Sequence, residues 1–178
     1  MKARPVAGDP GLGAALVDEV LAPFVWDRPV DDDDRLALRR VKARVETERI
    51  RPGDDRDFHL KLGPGGLTDV EFCTQLLQLE HGIRATGTAT ALGLLAECGA
   101  LDVEEHASLA EAHRFLERVR NRLYLVTGDP GDALPARVDH LARLAASLGT
   151  TPRALRVTRR WVSRRARRVV ERRFFGRP

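Results

Sequence analysis

Aromatic residues are scarce in this chain, at 5%, and its 178 residues include only two cysteines and one methionine. Strands draw on aromatic and β-branched side chains. Their shortage beside abundant Leu, Ala, Arg and Glu argues against a β-sandwich and for helices. No apolar run approaches the roughly 20 residues that a membrane span needs. The N-terminal MKARPVAGDPG lacks the apolar centre of a secretory signal. Cys73 and Cys98 sit in apolar helical patterns without metal-ligand spacing, which reads as structural thiols in the reducing cytoplasm. With 43% hydrophobic and 31% charged residues, the chain is too apolar for wholesale disorder and long enough for one domain with a real core.

Acidic charge is nearly missing from one end. From Pro152 onward eleven arginines face one acid, Glu171, so that segment carries +10 and residues 1–151 carry −6 within a net +4. A basic helix suits a nucleic acid backbone, and a nucleic-acid-binding helical domain is one reading. A stand-alone regulatory or interaction module is another. Against the nucleic-acid reading, Leu155, Val162, Ala166, Val169 and Phe174 form an apolar stripe, so this helix can dock on an acidic body.

Helix signals are spread along the chain. Asp9 before Pro10 starts a short helix to about Leu21, and the prolines of APFVWDRPV are expected to end it. Asp31 to Asp34 place acids at the positive end of the next helix. Leu38, Val41 and Val45 mark its apolar side, and Lys42 with the arginines and glutamates is expected to form a solvated face. Thr68-x-x-Glu71 has the form of a capping box, opening a helix that buries Val70, Cys73, Leu76, Leu77 and Ile83. Further helices are expected over 90–98, 103–127, 136–148 and 152–174, with Gly99 and Gly149 as left-handed stops and GDPGD as a turn. Short polar connections favour an antiparallel all-α bundle. Residues 1–178 read as one domain: N-terminal helices in 1–56, a Gly-rich loop in 57–72, and a bundle with a basic last helix in 73–178.

The loop DFHLKLGPGGLTDVEF breaks the helical pattern. Phe58, Leu60 and Leu62 alternate with polar residues as in a strand, which needs a partner for its backbone, within the chain or on another domain. Gly63, Pro64, Gly65 and Gly66 permit close backbone approach. A glycine loop ahead of a helix can cradle phosphate, but the P-loop ending is absent, and Asp69 and Glu71 would repel a bare phosphate. Glu71 is expected to serve the cap, and Asp69 to be the freer acid, open to an ionic contact or a metal-bound water. The five histidines show no metal set, and Trp26 and Trp161 read as packing anchors.

KLGPGGLTDVEFCTQLLQLEH resembles the helical-domain motif of bacterial glutamine synthetase adenylyltransferases. RVKARVETERI before it, and RVRNRLYLVTGDPGDALP and RRARRVVERRFFG after it, extend the likeness over most of the chain, most closely to the C-terminal segment of actinobacterial enzymes. The resemblance implies an all-α domain beside a nucleotidyltransferase domain that holds ATP and Mg²⁺ through a Gly-Ser pair and a D-x-D set. It implies AMP transfer to glutamine synthetase and a PII-type signal protein as a further partner. Gly-Ser is absent here, and Asp31-x-Asp33 and Asp32-x-Asp34 belong to the helix-capping run. The resemblance therefore implies a supporting domain that is not catalytic alone. Its loop residues Lys61, Gly63, Gly65, Gly66, Asp69 and Glu71 would face nucleotide or the catalytic domain.

Overall fold

The computed structural model describes residues 2–128 and 131–177, so Asp129 and Pro130, the middle of the expected GDPGD turn, lie outside the described residues. The chain is all-α. Its helices are α1 (Pro10–Ala15), a π-helical segment (Leu16–Leu21), α2 (Ala22–Trp26), α3 (Asp32–Glu48), α4 (Leu67–His81), α5 (Thr88–Glu97), α6 (Val103–Thr127), α7 (Val138–Ser147) and α8 (Pro152–Arg173).

Local chemistry sets most boundaries. The side chains of Asp31 and Asp102 accept from the N–H groups of Asp34 and Glu105, whose carboxylates bond back to the cap backbone, making two full capping boxes. Thr151 caps α8 with Pro152 in its first turn. Pro23 does not end the first helix as expected. The π-helical segment widens the ladder, so that the Ala22 N–H reaches the Val17 carbonyl five residues back. Pro23 then falls in the first turn of α2, where a missing N–H is harmless.

The core is formed by α4 to α8. Val70, Cys73, Leu76 and Leu77 of α4 pack with Leu92 and Leu95 of α5, with Leu109, Leu116 and Val119 of α6, and with Val162, Ala166 and Val169 of α8. α6 and α8 run in opposite directions, because Glu111 pairs with Arg165 while Glu105, two turns earlier, pairs with Arg172 and Arg173. The inward face of α3 is polar instead. Arg35 donates from Nε and Nη2 to Glu80 at 2.9 and 2.7 Å, and Arg39 Nε donates to the Phe174 carbonyl at 2.9 Å. Lys42, expected on a solvated face, is 1% exposed and the most deeply buried residue of α3. This helix attaches to the bundle through charge, with Leu38 packed against the edge of the core.

Candidate functional site

The segment expected as a strand is mostly turn. Asp55 caps a 3₁₀ turn over Arg56–Phe58, its carboxylate accepting from the Asp57 N–H at 2.9 Å. Asp55-x-Asp57 is thus a further D-x-D pair, and its first carboxylate serves the backbone. One antiparallel bridge follows, His59 with Ala133. The Leu60 N–H donates to the Asp132 carbonyl at 2.6 Å and the Leu134 N–H to the Phe58 carbonyl at 3.1 Å. The extended backbone therefore finds its partner within the chain, and no second domain is needed to satisfy it.

Beyond the bridge the loop folds onto itself. The N–H groups of Leu67 and Thr68 donate to the carbonyls of Leu60 and Lys61, and that of Gly66 to Gly63. His59, absent from the sequence-based candidates, is the internal acceptor. Its Nδ1 accepts from the N–H groups of Lys61 and Leu62, at 3.3 and 3.0 Å, which puts the imidazole proton on Nε2. Burial, assisted by nearby Arg159 and Lys61 and opposed by Asp132 and Asp54, lowers the His59 pKa below its usual 6.5. The glycines are needed for packing. A Cβ on Gly65, where φ is +65°, would lie 2.0 Å from the Ser163 carbonyl oxygen on α8. At Gly63 it would lie 2.4 Å from the Arg56 carbonyl oxygen. At Gly66 it would lie 2.7 Å from the carbonyl oxygens of both Gly63 and Lys61.

Asp69 is the centre of an ionic knot. It is the third residue of α4, whose N-cap is Gly66, so the Thr68–Glu71 capping box does not form. Asp69 Oδ2 accepts from the Gly65 N–H at 2.7 Å and from Arg167 Nη1 at 2.9 Å, while Oδ1 meets Lys42 Nζ as an ion pair. Lys42 also pairs with Glu46, and Arg167 with Glu171. The Phe175 ring lies against the cations of Arg167, Arg177 and Lys42, 5.0, 5.4 and 5.5 Å from its centroid. Burial opposes ionisation of Asp69, but Lys42 and Arg167 outweigh it and hold the pKa below 3.8. Far from being the freer acid, Asp69 is 1% exposed and joins α3, the loop, α4 and α8.

The predicted site residues divide accordingly. Gly63, Gly65, Gly66 and Asp69 are buried inside the domain, whereas Lys61 is half-buried and Glu71 pairs with Lys2 at 3.5 Å. Lys61 Nζ has no hydrogen-bond or ion-pair partner among the described residues, and with Arg49, Asp54 and His59 it lines a cavity of about 200 Å³. Every Asp69 oxygen is taken by a cation or an N–H, which leaves none for Mg²⁺. Among the described residues no group of three His, Cys, Asp or Glu side chains could hold a metal ion. The described residues therefore do not fit an Mg²⁺ site. No described helix is long and apolar enough to cross a membrane.

Along its outer side α8 exposes Arg160, Arg164 and Arg168, with Trp161 50% exposed beside them. Trp161 is therefore no core anchor; the Arg165 guanidinium stacks 4.5 Å from its ring centroid. Trp26 is half-buried, with Arg84 5.9 Å from its ring.

These features define a helical domain whose glycine loop is locked between a charged N-terminal helix and a basic C-terminal one. The chain belongs to the family described as GlnD PII-uridylyltransferase, which matches residues 39–173. It is 40% identical over 99% of its length to a bifunctional glutamine synthetase adenylyltransferase/adenylyl-removing enzyme of Streptomyces avermitilis, and equally so to that of Streptomyces coelicolor. To the enzyme of the same description from Leifsonia xyli it is 37% identical over its whole length. The chain spans 18% of the length of each of these relatives.

Proposed function

We propose that this chain is the helical supporting domain of a cytoplasmic glutamine synthetase adenylyltransferase. The observation that carries the reading is the 40% identity over 99% of the chain to enzymes of that description. In the reaction a tyrosine oxygen of glutamine synthetase bonds to the α-phosphorus of ATP, the α–β anhydride breaks, and pyrophosphate and the phenolic proton leave. Mg²⁺ and ATP are held by a nucleotidyltransferase domain, to which Lys61, Pro64 and Glu71 present the rim of the loop. Asp69 and the glycines shape that rim from inside, and Lys61 contacts a phosphate or carboxylate across the interface. A PII-type signal protein is a further partner of the whole enzyme.

The test is incorporation of labelled AMP into glutamine synthetase, with ATP and Mg²⁺, by this chain alone and mixed with the matching nucleotidyltransferase fragment. Activity is expected only in the mixture, reduced about tenfold by Lys61→Ala if one charge-assisted contact is lost. Activity from the chain alone, or none from a mixture whose fragments bind each other, overturns the reading.

A further inference from the structure

The outer side of α8 and the Pro64 turn enclose an open groove of about 910 Å³. Two of its lining residues each carry a buried donor with no partner among the described residues. Arg159 is 3% exposed and donates from Nη2 to the His59 carbonyl at 3.0 Å, but its Nε–H is unpartnered. Ser163 is 2% exposed and its Oγ has no partner either. Buried donors are seldom left unmet in a folded protein, and both of these residues line the groove. Among the described residues no carboxylate contacts Arg159 directly, and burial brings its pKa down to about 10 against the pull of Asp57, Asp55 and Asp69.

The groove's rim has the same sign. Arg164 and Arg168, one turn apart, are exposed and have no partner among the described residues. Arg160 lies over the Phe58 ring, 4.8 Å from its centroid, which leaves its charge unneutralised. Asp57 is the one acid among the lining residues, while Arg167 and Arg165 are committed to carboxylates elsewhere. A single carboxylate would leave most of these donors unmet. Linked phosphoryl groups offer more oxygens and more negative charge, suited to guanidinium forks. The volume is that of a small-molecule site.

We propose that this groove binds a small phosphate-bearing anion with two or more linked phosphoryl groups, seated on Arg159 and Ser163 and clasped by Arg160, Arg164 and Arg168. The inference rests on the groove alone and not on the adenylyltransferase reading, so either can fail without the other.

The test is isothermal titration of the chain with sodium pyrophosphate, without Mg²⁺ and without any nucleotidyltransferase fragment. One saturable site is expected, weakening as salt rises. The exposed double variant Arg164→Ser/Arg168→Ser should bind at least about tenfold more weakly while keeping its helical circular dichroism. Ser163→Ala, a smaller change, should weaken binding about threefold or more. An absence of saturable heat, or equal affinity in the double variant, overturns the proposal. So does equally potent displacement by hexaglutamate, which would make the surface a carboxylate dock. An oligonucleotide that binds far more tightly than pyrophosphate would make it a nucleic acid backbone site, and would overturn it too.

Discussion

Substituting Asn for Asp69 tests whether the ionic knot holds the domain together. The two side chains are nearly the same size, and Asn can still accept from the Gly65 N–H through its amide oxygen. What disappears is the negative charge between Lys42 and Arg167. Arg167 keeps Glu171 and partial access to solvent, so the damage falls on Lys42, which is 1% exposed and left with Glu46 as its one carboxylate among the described residues. Breaking a buried pair by removing one partner costs about 3–5 kcal/mol, out of a total stability of about 5–15 kcal/mol. At about 2–4 °C per kcal/mol for a chain of this size, Tm should fall by about 6–20 °C, read by circular dichroism at the helical minimum. Lys42→Met should restore part of the loss when combined with Asp69→Asn, with a coupling of about 0.5–3 kcal/mol. The folded-state pKa of Asp69 is depressed, so its contribution is present above 3.8 and is lost as pH falls through the folded value. Asp69→Asn should remove that acid-sensitive part. A variant that melts within about 2 °C of the parent at neutral pH would refute the assignment of Asp69 as the central pairing group.

Gly65→Ala should be costly twice over, since the left-handed backbone at φ +65° disfavours alanine by about 1–2 kcal/mol and the new Cβ would lie 2.0 Å from the Ser163 carbonyl oxygen. Gly53→Ala, at φ +93° with nothing within 4 Å, meets the backbone penalty alone, so Gly65→Ala should melt at least about 4 °C lower than Gly53→Ala. His59 is held neutral in the folded chain, so stability should fall as pH drops through 6.5 towards its lowered folded value and then level off. His59→Asn, whose amide oxygen can replace Nδ1 as acceptor, should abolish that slope in urea titrations across this range; an unchanged slope would place the proton uptake elsewhere. Burial pushes the Cys73 thiol up to about 12, while Cys98 is exposed. A thiol reagent at pH 8 should therefore label Cys98 alone in the native protein and both cysteines in denaturant.

What can be read in the sequence differs from what cannot by the distance over which the chemistry acts. The caps at Asp31, Asp102 and Thr151 act within four residues, as do the left-handed stops at Gly99 and Gly149, and helix boundaries drawn from them fall within about two residues of the observed ones. The apolar stripes of α4, α6 and α8 are legible for the same reason. Lys42 shows the opposite case. Beside Arg44 and Glu46 it has the local pattern of a solvated face, yet it is buried because Asp69, 27 residues later, and the Phe175 ring lie against it. Asp69 is equally opaque from nearby residues. Its position near a helix start suggests an accessible acid, and only the arrival of Arg167 from the far end of the chain encloses it. The alternation of Phe58, Leu60 and Leu62 reports burial correctly, since all three are buried, but not conformation. A 3₁₀ turn, a single bridge and a reversal can bury the same residues as a strand can. In the glycine loop the pattern shows that the backbone must pass close to something, and leaves open whether the neighbour is a phosphate or a helix. Here the neighbour of Gly65 is the Ser163 backbone. The same helix that excludes a Cβ at the loop carries the Ser163 hydroxyl and the Arg159 Nε–H, which have no partner among the described residues, so any anion bound in the groove would also press on the loop that Asp69 anchors.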